Sequence, residues 1–139
     1  MQFATVTTIK TSIEATQAFV AYHLHAGVDR VYLFFDDPDD RAIPLLQDYD
    51  RVVCVRCNDE YWGRQGLTQR DTVQGRQETN ATHALELARA AGIDWLAHID
   101  SDELLYPKKG SLRALFACTP SDVDVLIFPV MEAAPQRME

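Results

Sequence analysis

The stretch Ile93-Asp-Trp-Leu-Ala-His-Ile-Asp-Ser-Asp-Glu-Leu-Leu-Tyr106 decides the fold. Its mostly apolar run over residues 95–99 predicts a buried strand of an α/β sheet. The run stops on three acids, Asp100, Asp102 and Glu103, separated only by a serine. Like charges a few ångströms apart repel one another, and a buried charge needs a partner. The end of this strand therefore needs a group of opposite charge.

A divalent cation satisfies that need. In an extended chain, an Asp-x-Asp pair sends both side chains to the same side, because strand direction repeats every two residues. Mg²⁺ and Mn²⁺ take oxygen ligands and are typically completed by water and substrate phosphates. Asp100 and Asp102 are thus predicted to bind such a metal next to a diphosphate. The alternative is a solvated acidic turn. Glu103 is interpreted either as a third metal oxygen or as an acceptor of nearby backbone N–H groups that holds the turn.

The composition is that of an ordinary globular protein. Of 139 residues, 47% are hydrophobic and 24% are charged, which predicts a single domain over residues 1–139. The net charge of −8 argues against nucleic acid or an anionic membrane surface as the partner. Three cysteines do not form a disulfide framework. No apolar run approaches the length of a membrane span and no signal sequence is evident, so we expect a cytoplasmic location.

Strand and helix patterns alternate along the chain. Strands are predicted at residues 3–9, 30–36, 51–55, 95–99 and 123–128, and helices at about 11–26, 40–46, 74–91 and 111–117. Residues 57–73 are predicted to form a long loop, a feature that in compact domains usually covers a site.

This order predicts a doubly wound, mostly parallel open sheet. In such sheets ligands bind beyond the carboxyl ends of the strands. Polar residues within 7–10, 36–37 and 100–102 lie at the carboxyl ends of three different predicted strands. The sequence therefore predicts one binding site at this edge of the sheet.

Two segments support a family resemblance. Phe19-Val-Ala-Tyr-His-Leu-His-Ala-Gly-Val-Asp-Arg-Val-Tyr-Leu-Phe-Phe-Asp-Asp37 and Trp95-Leu-Ala-His-Ile-Asp-Ser-Asp-Glu-Leu-Leu105 resemble the family-2-like glycosyltransferases of GT-A fold, in the nucleotide-diphospho-sugar transferase superfamily. The first is similar to their helix with "YH…G(V/I)D" before the second strand. The second is similar to their metal-binding segment. The resemblance spans about residues 3–132.

The resemblance implies a metal-dependent glycosyltransferase, inverting in its stereochemistry, that moves a sugar from a nucleotide-diphosphate donor to a saccharide or lipid-linked acceptor. It implies Mn²⁺ or Mg²⁺ bound through Asp102 and Asp100. The implied nucleotide-sugar-binding residues are Thr8, Lys10, Asp36, Arg76, Asn80 and Asp100.

The chain departs from the family in two ways. It has Thr11-Ser12 where the family often has Asn-Glu, and complete GT-A domains continue further past the metal segment. We therefore expect a donor-binding part that is incomplete at its C-terminus. Glu132 follows the last predicted strand and is the candidate catalytic base.

Two other functions stay open. One is a non-catalytic nucleotide-sugar-binding remnant. The other is a nucleotidyltransferase on a related sheet, which would want a glycine-rich phosphate loop where this chain has Lys10-Thr-Ser-Ile13. Among single residues, His23 is interpreted as packing or hydrogen bonding rather than catalysis. Tyr61 and Trp62 are interpreted either as a cover for the donor or as simple packing.

Overall fold

The computed structural model describes residues 1–132 and contains a four-stranded, all-parallel sheet. Its strands are β1 (Phe3–Ile9), β2 (Arg30–Phe35), β3 (Val52–Arg56) and β4 (Trp95–His98). They lie in the order β3-β2-β1-β4. The chain thus moves outward from β1 to β3 on one side and then returns to place β4 on the other side. The predicted α/β open sheet is confirmed.

Helices cover both faces of the sheet. They are α1 (Ile13–His25), α2 (Ile43–Leu46), α3 (Asp59–Arg64), α4 (Val73–Ala90) and α5 (Leu112–Ala117). The buried residues of α1, α2 and α5 pack in one apolar cluster, and those of α3 and α4 pack in a second. Because β1 and β2 lie between these clusters, their side chains are buried on both faces. Within residues 1–132, no helix combines the length and apolar character that crossing a membrane requires.

Local capping sets where α1 begins and ends. The Ser12 side chain accepts a hydrogen bond from the Ala15 N–H group at 3.2 Å and so caps the first turn. The helix stops before Gly27, whose φ of 94° is a left-handed conformation that favours glycine. The turn returns the chain to the amino end of the sheet, where β2 begins beside β1.

The predicted fifth strand at residues 123–128 is wrong in this structure. The segment has no regular secondary structure, although Leu126 and Phe128 pack against the apolar cluster of α1 and α5. Val125 and Ile127 are exposed, so burial alternates as in a strand without strand pairing. As a result β4 is an edge strand among the described residues and is only half-buried, rather than the buried strand that its apolar run predicted.

The predicted loop at residues 57–73 also needs correction, because it contains α3. Asn58 caps this helix by accepting the Tyr61 N–H group at 2.8 Å, and two acidic residues follow in the first turn, where the helix dipole favours them. Trp62 is fully buried. Of the two interpretations of Tyr61 and Trp62, packing is therefore the one that the structure bears out.

Candidate functional site

The parallel register brings the carboxyl ends of three strands together. Ile9 pairs with Phe35, so Lys10 and Asp36 follow side by side. Val6 pairs with His98, which brings the acidic turn after β4 level with the end of β1. The point between β1 and β4 is where the strand order reverses, the usual position of a ligand in such sheets.

A cleft of about 300 Å³ opens at this point. Its walls come from the ends of β1, β2 and β4 and from the first two turns of α4, and the lining residues are Thr8, Lys10, Thr11, Asp36, Val73, Arg76, Gln77, Asp100, Ser101 and Asp102. The structure thus brings together six of the residues predicted from sequence. Asn80 and Glu132 are not among the lining residues.

One wall of the cleft carries a buried ion pair. The Arg76 Nη1 atom lies 2.7 Å from Asp36 Oδ1, and 8% of the arginine side chain is exposed. Lys10 Nζ lies 3.6 Å from the other carboxylate oxygen of Asp36 and is largely exposed. The guanidinium also donates to Gln69 Oε1 at 2.9 Å and lies over the Trp62 ring, 5.9 Å from its centroid. This wall, made by Lys10, Asp36 and Arg76, has a net positive charge and is called the cationic wall below.

Asn80 lies beneath the cleft, where its side chain is fully buried. It donates to Thr8 Oγ1 at 2.9 Å and accepts from the Tyr61 hydroxyl at 2.7 Å. Burial, with the nearby Asp36 charge, raises the pKa of the Cys57 thiol beside it to about 12, so this thiol stays neutral. Asn80 does not line the cleft, and its hydrogen bond to Thr8 connects it to a residue that does. Since Thr8 accepts from Asn80, its own hydroxyl hydrogen is left for a ligand.

The opposite wall is the acidic turn at residues 100–103. Asp100 and Asp102 are exposed, and neither forms an ion pair with any residue in the described part of the chain. The Glu103 carboxylate instead accepts the Asp100 N–H group at 3.1 Å, and the Glu103 N–H group donates to the Asp100 carbonyl at 3.1 Å. Glu103 thus holds the turn, as the alternative interpretation of this residue anticipated.

The donor set of the acidic turn fits a hard divalent cation. Among residues 1–132, no group of three or more His, Cys, Asp or Glu side chains is arranged to hold a metal. The turn offers two carboxylates, Asp100 and Asp102, beside open space in the cleft. Mg²⁺ is commonly bound in this way, by one or two carboxylates together with water and substrate phosphates.

Glu132, the candidate base, is exposed and follows a segment without regular structure. Its assignment stays a prediction. Gln69 was missed, although its Nε2 group donates to the Cys57 carbonyl at 2.7 Å and to the Asp36 carbonyl at 3.3 Å. Its place in a predicted loop gave no periodic pattern from which these contacts could be inferred.

Comparison with known proteins supports part of this interpretation. No protein-family model matches the chain, and no solved structure matches it significantly. Two proteins of Arabidopsis thaliana, both named glycosyltransferase-like, are similar to it. One is 27% identical in an alignment covering 94% of this chain and 34% of the relative. The other is 40% identical over 65 residues, which is 45% of this chain and 13% of that relative.

The chain therefore spans a minor part of the length of either relative. The resemblance stated from sequence is confirmed at this coarser level: the chain is similar to proteins named glycosyltransferase-like, and its parallel sheet is compatible with that similarity.

Proposed function

We propose that the chain is the donor-binding part of a metal-dependent glycosyltransferase that uses a nucleotide-diphosphate sugar. One observation carries the proposal: two exposed carboxylates and a cationic wall face each other across a single cleft at the switch point of the sheet. In such a site the carboxylates would bind the metal, and the positive charges of the cationic wall would attract the diphosphate. The similarity to two glycosyltransferase-like proteins supports the same class of reaction.

The residues of the cleft have separate roles in this proposal. Asp102 binds Mn²⁺ or Mg²⁺ directly, and Asp100 contacts the same metal or the ribose of the nucleotide. When bound, the ion would offset the negative charge that builds on the diphosphate as it leaves the sugar. Lys10 adds an exposed positive charge on the opposite wall. Thr8 donates its hydroxyl, and Asp36 contacts the nucleotide while Arg76 holds its carboxylate in place.

The transfer step needs a base that takes the proton from an acceptor hydroxyl. Such a base contributes about 10²- to 10⁴-fold in rate, and Glu132 is the proposed candidate. An inverting outcome follows if the displacement is single. The GT-A assignment and the relation to family 2 are part of this proposal.

A second candidate function is a nucleotide-sugar-binding module without transfer activity. The observation that favours it is the position of Glu132, which is exposed and does not line the cleft. Donor binding depends only on residues that do line the cleft or support it.

Turnover of sugar nucleotides tests the proposal and separates the two candidates. The protein is incubated with Mn²⁺ and a panel of uridine- and guanosine-diphosphate sugars, with and without saccharide acceptors, and the released nucleoside diphosphate is measured. The matched control is Asp102→Asn, which keeps the shape of the side chain and removes a charged ligand. Release from at least one donor, lost in the variant, is the expected result.

Binding of a donor without any release supports the binding module instead. Neither binding nor release for any donor contradicts both functions. Release that is equal in the wild-type protein and in Asp102→Asn contradicts the metal role of the acidic turn.

A further inference from the structure

Helix α1 holds the backbone of Leu105, in the segment that directly follows the acidic turn. The His23 Nε2 atom accepts the Leu105 N–H group at 3.2 Å. The Tyr22 hydroxyl donates to the Leu105 carbonyl at 3.3 Å. Both backbone groups of one residue are thus bound by two neighbouring side chains of the helix. The Leu105 side chain is also buried in the apolar cluster of α1.

The hydrogen bonds of His23 define its tautomer. The Nδ1 atom lies 2.7 Å from the Phe19 carbonyl, which only accepts, so Nδ1 carries the proton. Nε2 is then left as an acceptor, as the Leu105 N–H group requires. The ring is fully buried and packs against Phe19 and Tyr22, with ring centroids 4.2 and 5.0 Å away. Burial lowers the pKa of His23, which favours this neutral form.

The contact with Leu105 attaches the C-terminal side of the acidic turn. Its N-terminal side follows Ile99, whose N–H group donates to the Val6 carbonyl at 3.2 Å. Its own hydrogen bonds, between Asp100 and Glu103, are local to the turn. Among residues 1–132, the hydrogen bonds that join residues 100–106 to the rest of the chain are those that Leu105 makes with His23 and Tyr22. Without a cation, the carboxylates of Asp100 and Asp102 repel each other, so an attachment close to them limits how far the turn opens.

We propose that His23 and Tyr22 are positioning residues for the metal site. By holding Leu105, they keep Asp100 and Asp102 in the arrangement that a divalent cation and a diphosphate bind. The inference rests on the proposed function, since it takes these carboxylates to be the metal ligands. It assigns the support of the acidic turn to two residues of α1, which lies on the opposite face of the sheet from α4.

Two substitutions at one position separate the two hydrogen bonds of the imidazole. In His23→Asn, the amide group takes the place of Nδ1 and keeps the bond to Phe19 but does not reach Leu105. In His23→Gln, the longer side chain carries an oxygen to the place of Nε2 and keeps an acceptor for Leu105. Tyr22→Phe removes the hydroxyl and retains the ring. The measured quantity is the Mn²⁺ concentration that gives half-maximal binding of UDP and of GDP in calorimetric titrations.

We expect His23→Asn to raise this Mn²⁺ concentration about 10-fold, the usual effect of losing a group that orients metal ligands. His23→Gln should restore most of the loss, and Tyr22→Phe should cause a smaller rise. The stability control is Leu46→Ala, which removes buried apolar surface in α2, a helix that packs beside β3, at the other edge of the sheet from β4. It should leave the Mn²⁺ requirement unchanged while lowering the melting temperature.

An unchanged Mn²⁺ requirement in both His23→Asn and Tyr22→Phe overturns the inference, and so does an equal rise in Leu46→Ala. If His23→Asn does not fold, Tyr22→Phe is compared with Leu46→Ala instead. A rise in the Mn²⁺ requirement for Tyr22→Phe alone supports the inference, and no rise or an equal rise overturns it. A wild-type protein whose nucleotide binding does not depend on Mn²⁺ overturns the proposed function and this inference with it. Mn²⁺-dependent binding that the variants do not alter overturns the inference alone.

Discussion

Arg76 carries its charge where only 8% of its side chain is exposed, and the Asp36 carboxylate beside it is 11% exposed. Removing one partner of such a pair leaves the other charge buried without compensation. Lys10 also lies near Asp36, but its exposed ammonium group contributes little to stability. The cationic wall therefore depends on the bond between Asp36 and Arg76 for its structure.

We predict that Asp36→Asn lowers the free energy of unfolding by about 3 kcal/mol, because Arg76 loses its anionic partner. Urea denaturation measures the change. The neighbouring exposed residue supplies a matched control: Asp37→Asn should change the free energy by less than about 0.5 kcal/mol. Equal, small effects of the two substitutions would mean that the Arg76 guanidinium does not need an anionic partner.

A second prediction at this scale concerns the pH dependence of stability. Burial lowers the pKa of His23 below its ordinary value of 6.5, so below pH 6.5 the unfolded chain binds a proton that the folded chain does not. The contribution of neutral His23 to the free energy of unfolding is fully present above pH 6.5. It is lost as the pH falls toward the lowered pKa, at up to about 1.4 kcal/mol per pH unit. Denaturation of the wild type and His23→Gln at pH 7.5 and 5.5 should show a steeper loss for the wild type. Parallel losses would show that His23 is protonated in the folded protein.

At the scale of elements, residues 123–128 explain why a periodic pattern is an incomplete guide to a strand. Leu126 and Phe128 face the apolar cluster while Val125 and Ile127 are exposed, so burial alternates along the segment although it forms no strand. A strand also requires a backbone partner, and no periodicity in the segment itself encodes one. Helix α3 is the opposite case, because the structure has a helix where the sequence predicted a loop. The helix is too short to show a helical period, and the main sign of it in the sequence is its Asn58 cap.

Hydrogen exchange tests the description of residues 124–128. None of their N–H groups donates to another backbone group within the described chain, so we predict exchange close to that of an unfolded peptide. The N–H groups of β1, which is paired on both sides, should exchange orders of magnitude more slowly. Protection of residues 124–128 comparable to that of β1 would instead establish the strand that the sequence pattern predicted.

At the scale of the whole molecule, the position of the candidate site followed from the order of the elements. Thr8, Asp36 and Asp100 are far apart in the chain, yet Thr8 lies at the carboxyl end of β1, and Asp36 and Asp100 come soon after β2 and β4. Parallel strands end at the same edge of the sheet, so these three residues lie close together. The partners of these residues were harder to predict. The bond between Arg76 and Asp36 joins residues 40 positions apart, and Asn80 is buried. Neither feature could be predicted from the sequence, because both depend on the packing of α4 against the sheet.

The central claim is that the acidic turn and the cationic wall act together on one diphosphate. Each wall alone is a common surface feature. A metal held by Asp100 and Asp102 would be completed by water and by phosphate oxygens, so Mn²⁺ should raise affinity most for ligands that carry a diphosphate and not at all for the nucleoside. The length of the phosphate chain thus distinguishes a shared site from two independent ones.

Calorimetric titration of the wild-type protein with uridine, UMP and UDP, and with the guanosine series, each with Mn²⁺ and with EDTA, tests this claim most directly. We predict that Mn²⁺ raises the affinity for at least one nucleoside diphosphate by about 10-fold or more and leaves that for the nucleoside unchanged. Asp102→Asn should remove the gain without lowering the melting temperature of the metal-free protein, since it relieves repulsion within the turn. Equal affinity for the diphosphates in Mn²⁺ and in EDTA would contradict the account.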